Sequence, residues 1–221
     1  EYIKERDKWL NGDEAYIAKG YKPLLIMNEG YADVSYEETA ELVEAQRQEA
    51  IRRRMHLVEL PASLKHATLA PNQKDSVILT RSRTEILSLM SDFIGNFHSP
   101  TKKGLYVYGD FGVGKSFLLA ALAHDLSEKY SVATTMIHYP SFVVNVKNAI
   151  QSGQVKAEID TVKKADILIL DDIGAEQHSP WVRDDVLQVI LQHRMQENLP
   201  TFFTSNFSLS DLEKRLSQGK A

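Results

Sequence analysis

The apolar positions of this chain change period along its length, and the changes mark its elements. Ile86, Leu87, Leu89, Met90, Phe93, Ile94 and Phe97 recur with the spacing of one helix face, behind the capping-box pattern Ser82-Arg83-Thr84-Glu85. They predict an amphipathic helix. Beyond it, short β-prone apolar runs alternate with helical stretches: strand over 104–108, helix over 115–130, strand over 132–138 and helix over 141–151. A short helical piece over 155–164 follows, then strand over 166–171, helix over 180–198, strand over 201–204 and a helix opening at Ser210-Asp211. Apolar strands separated by helices imply an α/β fold, a parallel sheet with helices on both faces.

The first 60 residues follow another pattern and read as a small N-terminal appendage ahead of a domain over 61–221. Runs at 21–27 and 31–36, separated by Asn28-Glu29-Gly30, predict a hairpin. From 37 to about 56 the residues favour helix, with Glu37, Glu38, Glu41 and Glu44 early and Arg47, Arg52, Arg53 and Arg54 late, as the helix dipole prefers. Pro61 ends it. The cluster Arg52-Arg53-Arg54 reads as a solvated helix end, against contact with phosphate.

Composition narrows the classes. The chain has 221 residues, 43% of them apolar, and no cysteine, which excludes a disulfide framework and a thiolate zinc site and leaves a cytoplasmic protein as the expectation. The longest aliphatic run is Ile167-Leu168-Ile169-Leu170, far short of the roughly 20 apolar residues that span a bilayer, so no membrane role is expected. The first residue is Glu and the chain stops in a polar stretch, which points to a piece of a longer protein. Residues 1–60 carry 9 basic and 13 acidic side chains, and residues 61–221 carry 17 of each. Without a strongly basic balance, any contact with nucleic acid must be local or multivalent.

Three motifs carry chemistry. Gly109-Asp110-Phe111-Gly112-Val113-Gly114-Lys115-Ser116 matches G-x-x-x-x-G-K-[ST] between an apolar strand and an apolar helix that opens with Phe117. Its glycines let backbone N–H groups turn inward around phosphate, Lys115 reaches the β/γ oxygens, and the Ser116 hydroxyl ligates Mg²⁺. ATP and Mg²⁺ are the expected cofactors. Second, four aliphatic residues end in Asp171 and Asp172, placing carboxylates at the sheet edge where phosphates bind; Asp171 suits Mg²⁺, and Asp172 suits orienting or deprotonating the attacking water. Third, Thr201-Phe202-Phe203-Thr204-Ser205-Asn206 ends an apolar strand in an amide that suits polarising that water or sensing the γ-phosphate. Alone, Asn206 reads as a turn residue; the ordered trio makes it informative.

With Asp171-Asp172-Ile173-Gly174-Ala175-Glu176, and with Trp181-Val182-Arg183-Asp184-Asp185 leading to Leu191-Gln192-His193-Arg194-Met195, the trio resembles the AAA+ replicative-helicase loaders, the DnaC/DnaI family. The resemblance covers about residues 61–210, and weakly Gly20-Tyr21-Lys22-Pro23. It implies a P-loop NTPase of the AAA+ type, with Gly109 to Ser116 as Walker A, Asp171-Asp172 as Walker B and Asn206 as sensor 1. It implies an ATPase that delivers a hexameric replicative DNA helicase onto single-stranded DNA in primosome assembly and replication initiation or restart. The helicase, single-stranded DNA, other primosome proteins and further copies on the helicase ring are the implied partners, and residues 1–60 the end of a helicase-binding region.

Two departures stand out. The family's N-terminal domain carries a zinc site, for which this chain has no cysteine. The second departure is that an arginine finger and a sensor-2 arginine are expected after sensor 1, where Arg215 is the sole arginine. Asp172 is no departure from the loaders, which commonly have Asp where most AAA+ proteins place Glu; the shorter acid is compatible with weak or partner-dependent turnover. For the arginine finger that the resemblance implies, the candidates are Arg215, Arg183 and Arg194, against the reading of each as a solvated helix residue. For single-stranded DNA they are Phe142, Lys147, Lys156, Lys163 and Lys164, an aromatic among spaced cations, against core packing for the ring and solvation for the lysines. A transposase-helper ATPase acting on duplex target DNA shares the trio and is the alternative. A small-molecule P-loop kinase ranks last, because a basic lid is expected where the chain has an Asn-tipped strand.

Overall fold

Main-chain polar groups inside a domain must pair with one another, and five short apolar strands do so here by lying side by side. The computed structural model describes residues 1–12, 18–69, 81–99, 103–177 and 179–217. The chain forms two compact units, Glu1–Arg52 and Arg53–Ala221.

In the first unit, α1 (Tyr2–Leu10) precedes the strands β1 (Tyr21–Asn28) and β2 (Tyr31–Glu38). These pair antiparallel from Tyr21 opposite Glu38 to Asn28 opposite Tyr31, the predicted hairpin. Glu29 and Gly30 turn it with φ of 50° and 89°. Helix α1 went unread because its sequence is mostly charged and its Ile3 and Leu10 lie exposed, so no apolar face announces it. Helix α2 spans Ala40–Arg54.

In the second unit β3 (Met55–Val58) leads to a 3₁₀ turn at Ala62–His66 and to α3 (Arg81–Gly95). Then come β4 (Tyr106–Tyr108), α4 (Lys115–Tyr130), β5 (Thr134–His138), α5 (Tyr139–Ser152), α6 (Val155–Lys163) and β6 (Ile167–Asp171). A π-helical turn at Val182–Leu187 runs into α7 (Gln188–Gln196), followed by β7 (Thr201–Ser205) and α8 (Leu209–Ser217). The strands lie in the order β3-β5-β6-β7-β4, every neighbouring pair parallel. Leu168 and Leu170 of β6 face a core built with Val143 and Val146 of α5, Val162 of α6, Ile190 of α7 and Leu212 of α8. On the opposite face α4 packs along the sheet, and Phe93 of α3 meets Phe202 of β7 edge-on at 4.9 Å between ring centres. Helices thus cover both faces, as the alternating pattern predicts.

Two expectations are corrected. The boundary lies at Arg52–Arg53 rather than at residue 60, because Met55-His56-Leu57-Val58 leave the helical run and pair with Thr134–Ile137 as the sheet's edge strand. Four residues behind an arginine-rich helix end give no periodicity from which to read a strand. Ser82 does not cap α3, since Arg81 before it is already helical.

Arg194 of α7 is 1% exposed and closes the ends of two strands. Its guanidinium donates to Thr201 Oγ1 at 2.8 Å, to the carbonyls of Lys163 and Ala165 at 3.1 and 2.6 Å, and to that of Pro200 at 2.7 Å. Burial pulls its pKa down to about 10, against an opposing pull from Asp166, so it stays charged at neutral pH. A side chain enclosed in this way does not reach a neighbour's phosphate, which removes Arg194 from the arginine-finger candidates. Replacing Arg194 with alanine strands several buried carbonyls, and roughly 3 kcal/mol of stability is expected to go with it. The urea midpoint measures this, while nucleotide affinity in the absence of urea stays near that of the unaltered chain.

Candidate nucleotide-binding site

The C-terminal ends of β4, β6 and β7 converge because β7 lies between the other two. The octet 109–116 joins β4 to α4, and Gly114 caps the helix at φ 91°, a left-handed conformation that L side chains rarely adopt. That turn brings Lys115 into the first helical turn, 9% exposed. Its ammonium donates to the carbonyls of Gly109 and Asp110 and to Asn206 Oδ1, each at 2.9 Å. Asn206 in turn donates through Nδ2 to Asp172 Oδ1 at 2.9 Å. Lysine, amide and carboxylate therefore form one connected line across the crevice.

The acids are braced from β7. Thr204 Oγ1 donates to Asp171 Oδ1 at 2.7 Å and accepts the Asp172 N–H at 2.8 Å. Ser205 Oγ donates to the Ile173 carbonyl at 2.7 Å, and the Ile173 N–H bonds to the Thr204 carbonyl at 2.9 Å. Asp172 stands at φ 61°, an uncommon conformation for a residue with a side chain, and its surroundings hold the loop in that shape. Gly174, at φ 94°, releases the turn beneath Phe207 and Leu212, where a Cβ would come within 2.8 Å of the leucine.

These groups line a cavity of about 440 Å³, within the range of roughly 300 to 1,000 Å³ usual for small-molecule sites. Phe111, Gly112, Gly114, Lys115, Ser116 and Phe117 form one wall, and Asp171, Asp172 and Asn206 another. Phe111, Val113 and Phe117 are exposed. Asp171, 4% exposed, spends Oδ1 on Thr204, and its second oxygen has no protein partner among the described residues. A buried carboxylate with an uncommitted oxygen, on a cavity shared with the Ser116 hydroxyl, is an oxygen donor set that fits Mg²⁺.

Sequence reasoning missed several wall residues. Glu59, Leu60, Pro61 and Leu64 come from the segment after β3, which carries no motif. His138 ends β5 opposite Asp171 in the strand register, its Nδ1 2.7 Å from Ser141 Oγ. A comparison of strand ends could have found His138, since both close apolar runs; Thr204 gave no local signal.

Other candidates fall elsewhere. Phe142 is 3% exposed among Val143, Val146 and Ile190, so its ring is core and is withdrawn as a base-stacking platform. Lys147 is half-buried and Lys156 exposed. Lys163 and Lys164 reach Asp160 at 3.0 and 3.8 Å; the Lys163 hydrogen bond, with the nearby lysine charges, holds that carboxyl below its ordinary range. Arg183 pairs with Asp184 at 2.6 Å and donates to the Leu216 carbonyl at 2.7 Å. Arg215 lies over the Phe207 ring at 4.3 Å. Neither arginine is on the cavity wall.

Residues 28–220 match the family described as IstB-like ATP binding protein, and residues 1–36 the family described as primosomal protein DnaI N-terminus. The replicative helicase loader DnaI of Bacillus subtilis (strain 168) is 38% identical over 201 residues, 89% of this chain and 62% of that protein. The chain thus spans less than two thirds of the curated relative's length. A solved structure from Streptococcus pyogenes serotype M3, provisionally named a primosome component, is 53% identical with TM-score 0.67, over 77% of this chain and 85% of that one. A solved structure of DnaI is 37% identical with TM-score 0.67, over 75% and 85%.

Replacing Lys115 with alanine removes the charge that would meet phosphate and leaves the apolar core intact. ATP affinity in a nucleotide titration is expected to fall by about a hundredfold or more, with thermal unfolding close to that of the unaltered chain.

Proposed function

The chain belongs to the IstB-like ATP-binding protein family, and on that premise we propose that it is an ATPase that delivers a hexameric replicative helicase onto single-stranded DNA in primosome assembly and replication initiation or restart. The observation that carries the ATPase reading is the line Lys115–Asn206–Asp172, which joins the phosphate-seeking cation to the acid next to the attacking water. The similarity of residues 1–36 to the DnaI N-terminal family favours loading over the transposase-helper alternative. The balanced charge of residues 61–221 points the same way, since a grip on duplex DNA calls for a basic face.

Each residue has a defined task. Backbone N–H groups of the octet 109–116 cradle phosphate, and Lys115 exchanges Asn206 Oδ1 and two carbonyls for phosphate oxygens. Ser116 and Asp171 would hold Mg²⁺, which neutralises charge on the phosphates. Asp172 accepts the water's proton and Asn206 orients it, keeping its own bond to Asp172. Turnover by one copy is slow, because none of Arg183, Arg194 and Arg215 is on the cavity wall and an arginine finger is worth about 10³ to 10⁵ in related GTPases. Copies or other primosome proteins arrayed on the helicase ring complete the site and add weak lysine contacts to single-stranded DNA into useful affinity.

The test uses a hexameric replicative helicase, this protein and a labelled single strand. Helicase recruitment to the strand should require the protein and change with ATP against ADP. Asp172→Asn should bind ATP normally but hydrolyse it about a hundredfold more slowly. Recruitment indifferent to the protein, or equal in all nucleotide states, would overturn the loader reading.

A further inference from the structure

We propose that Thr204 is the positioning residue for both acids of the site: its single hydroxyl aims the Asp171 carboxylate at Mg²⁺ and holds Asp172 in its left-handed turn. The inference rests on the reading of the cavity as an ATP·Mg²⁺ site and goes beyond the residues of the three motifs.

Thr204 is 1% exposed and is the penultimate residue of β7, ahead of Ser205 and Asn206. A hydroxyl has one proton to give and lone pairs to receive. Because the Asp172 N–H can only donate, Thr204 Oγ1 must accept there, at 2.8 Å. Its proton is therefore committed to Asp171 Oδ1, at 2.7 Å, where the acceptor is an ionised oxygen and the bond correspondingly strong. The two bonds are directional and reinforce each other. The first fixes which Asp171 oxygen is engaged and leaves the other facing the cavity. The second ties down the amide of a residue at φ 61°, a conformation uncommon for a residue with a side chain.

The β-branch contributes as well, since a branched side chain restricts χ1 and keeps the hydroxyl aimed. The backbone bond from the Ile173 N–H to the Thr204 carbonyl, at 2.9 Å, does not involve the side chain. Removing only the hydroxyl therefore keeps this backbone bond between strand and turn and frees the Asp171 carboxylate together with the Asp172 N–H. Residues that orient a metal's ligands typically change metal affinity by about 10- to 100-fold when lost, without touching the metal.

The experiment measures binding of a fluorescent ATP analogue with Mg²⁺ and with EDTA, for the unaltered chain, Thr204→Val and Thr204→Ser, alongside thermal melting. In the unaltered chain Mg²⁺ should tighten binding; absence of any gain would overturn the metal-site reading itself, separately from the role of Thr204. With Thr204→Val the Mg²⁺-free affinity should stay within about twofold, while the Mg²⁺-dependent gain falls about tenfold or more and the Mg²⁺ midpoint rises. Thr204→Ser, which keeps the hydroxyl, should recover most of the gain. A full gain in Thr204→Val overturns the proposal, and so does an equal loss with and without Mg²⁺, which marks a merely structural hydroxyl. If the valine chain does not melt cooperatively, Thr204→Cys, close in size and only a weak donor, supplies the same comparison with the same two overturning results.

Discussion

A lysine ammonium that is almost wholly shielded from water has to be surrounded by oxygens, and the site depends on how Lys115 meets that demand. Its three acceptors come from two directions, the carbonyls of Gly109 and Asp110 on its own loop and Asn206 across the crevice. Phosphate oxygens can replace all three. The cation is thus held ready, and the bond that couples it to the rest of the domain is the one that a ligand would take over. Since Asn206 also holds Asp172, whatever occupies the loop is felt at the acid.

That coupling requires β6 and β7 to stay in register, and they are held at both ends. At their starts Arg194 gathers the carbonyls of Lys163, Ala165 and Pro200 and the Thr201 hydroxyl, a cluster that costs desolvation and offsets it by satisfying groups that would otherwise be orphaned. At their C-terminal ends Thr204, Ser205 and Asn206 each send a side chain to the turn after Asp171. Apolar packing of Leu168, Leu170 and Phe202 fills the space between. The polar ends decide where the acids point, and the apolar middle supplies the stability that lets Asp172 keep an uncommon backbone conformation.

What could be read from the sequence follows from how local each signal is. The strands over 104–108, 132–138, 166–171 and 201–204 and the helix over 115–130 were legible because short apolar runs and helix periods each lie within one stretch of chain. The octet 109–116 and the acid pair were legible for the same reason, and a single turn or strand end carries each. Strand β3 was not: four residues, Met55 to Val58, become a strand only through their partners Thr134 to Ile137, far along the chain. The same holds for Arg194, whose partners come from α6, the α6–β6 connection and the start of β7, and for Thr204, whose partners are the last residue of the neighbouring strand and the first of the turn after it. Phe142 failed differently, since an aromatic beside lysines has one appearance in sequence whether it turns outward or, as here, joins the core. The π-helical turn at Val182–Leu187 left no trace that distinguishes it from an ordinary helix.

The central claim is that phosphate displaces Asn206 from Lys115 and that Asp172 feels the exchange. The most direct measurement is the Asn206 side-chain amide resonance, followed by NMR while a non-hydrolysable ATP analogue with Mg²⁺ is added. The account predicts a large shift on addition of the analogue and a smaller one with AMP, which cannot reach the lysine with β/γ oxygens. It further predicts that in Lys115→Ala the free chain already shows an altered amide that the analogue, even at saturation, moves little. An amide that is unmoved by the analogue in the unaltered chain, or that moves equally in Lys115→Ala, would contradict it.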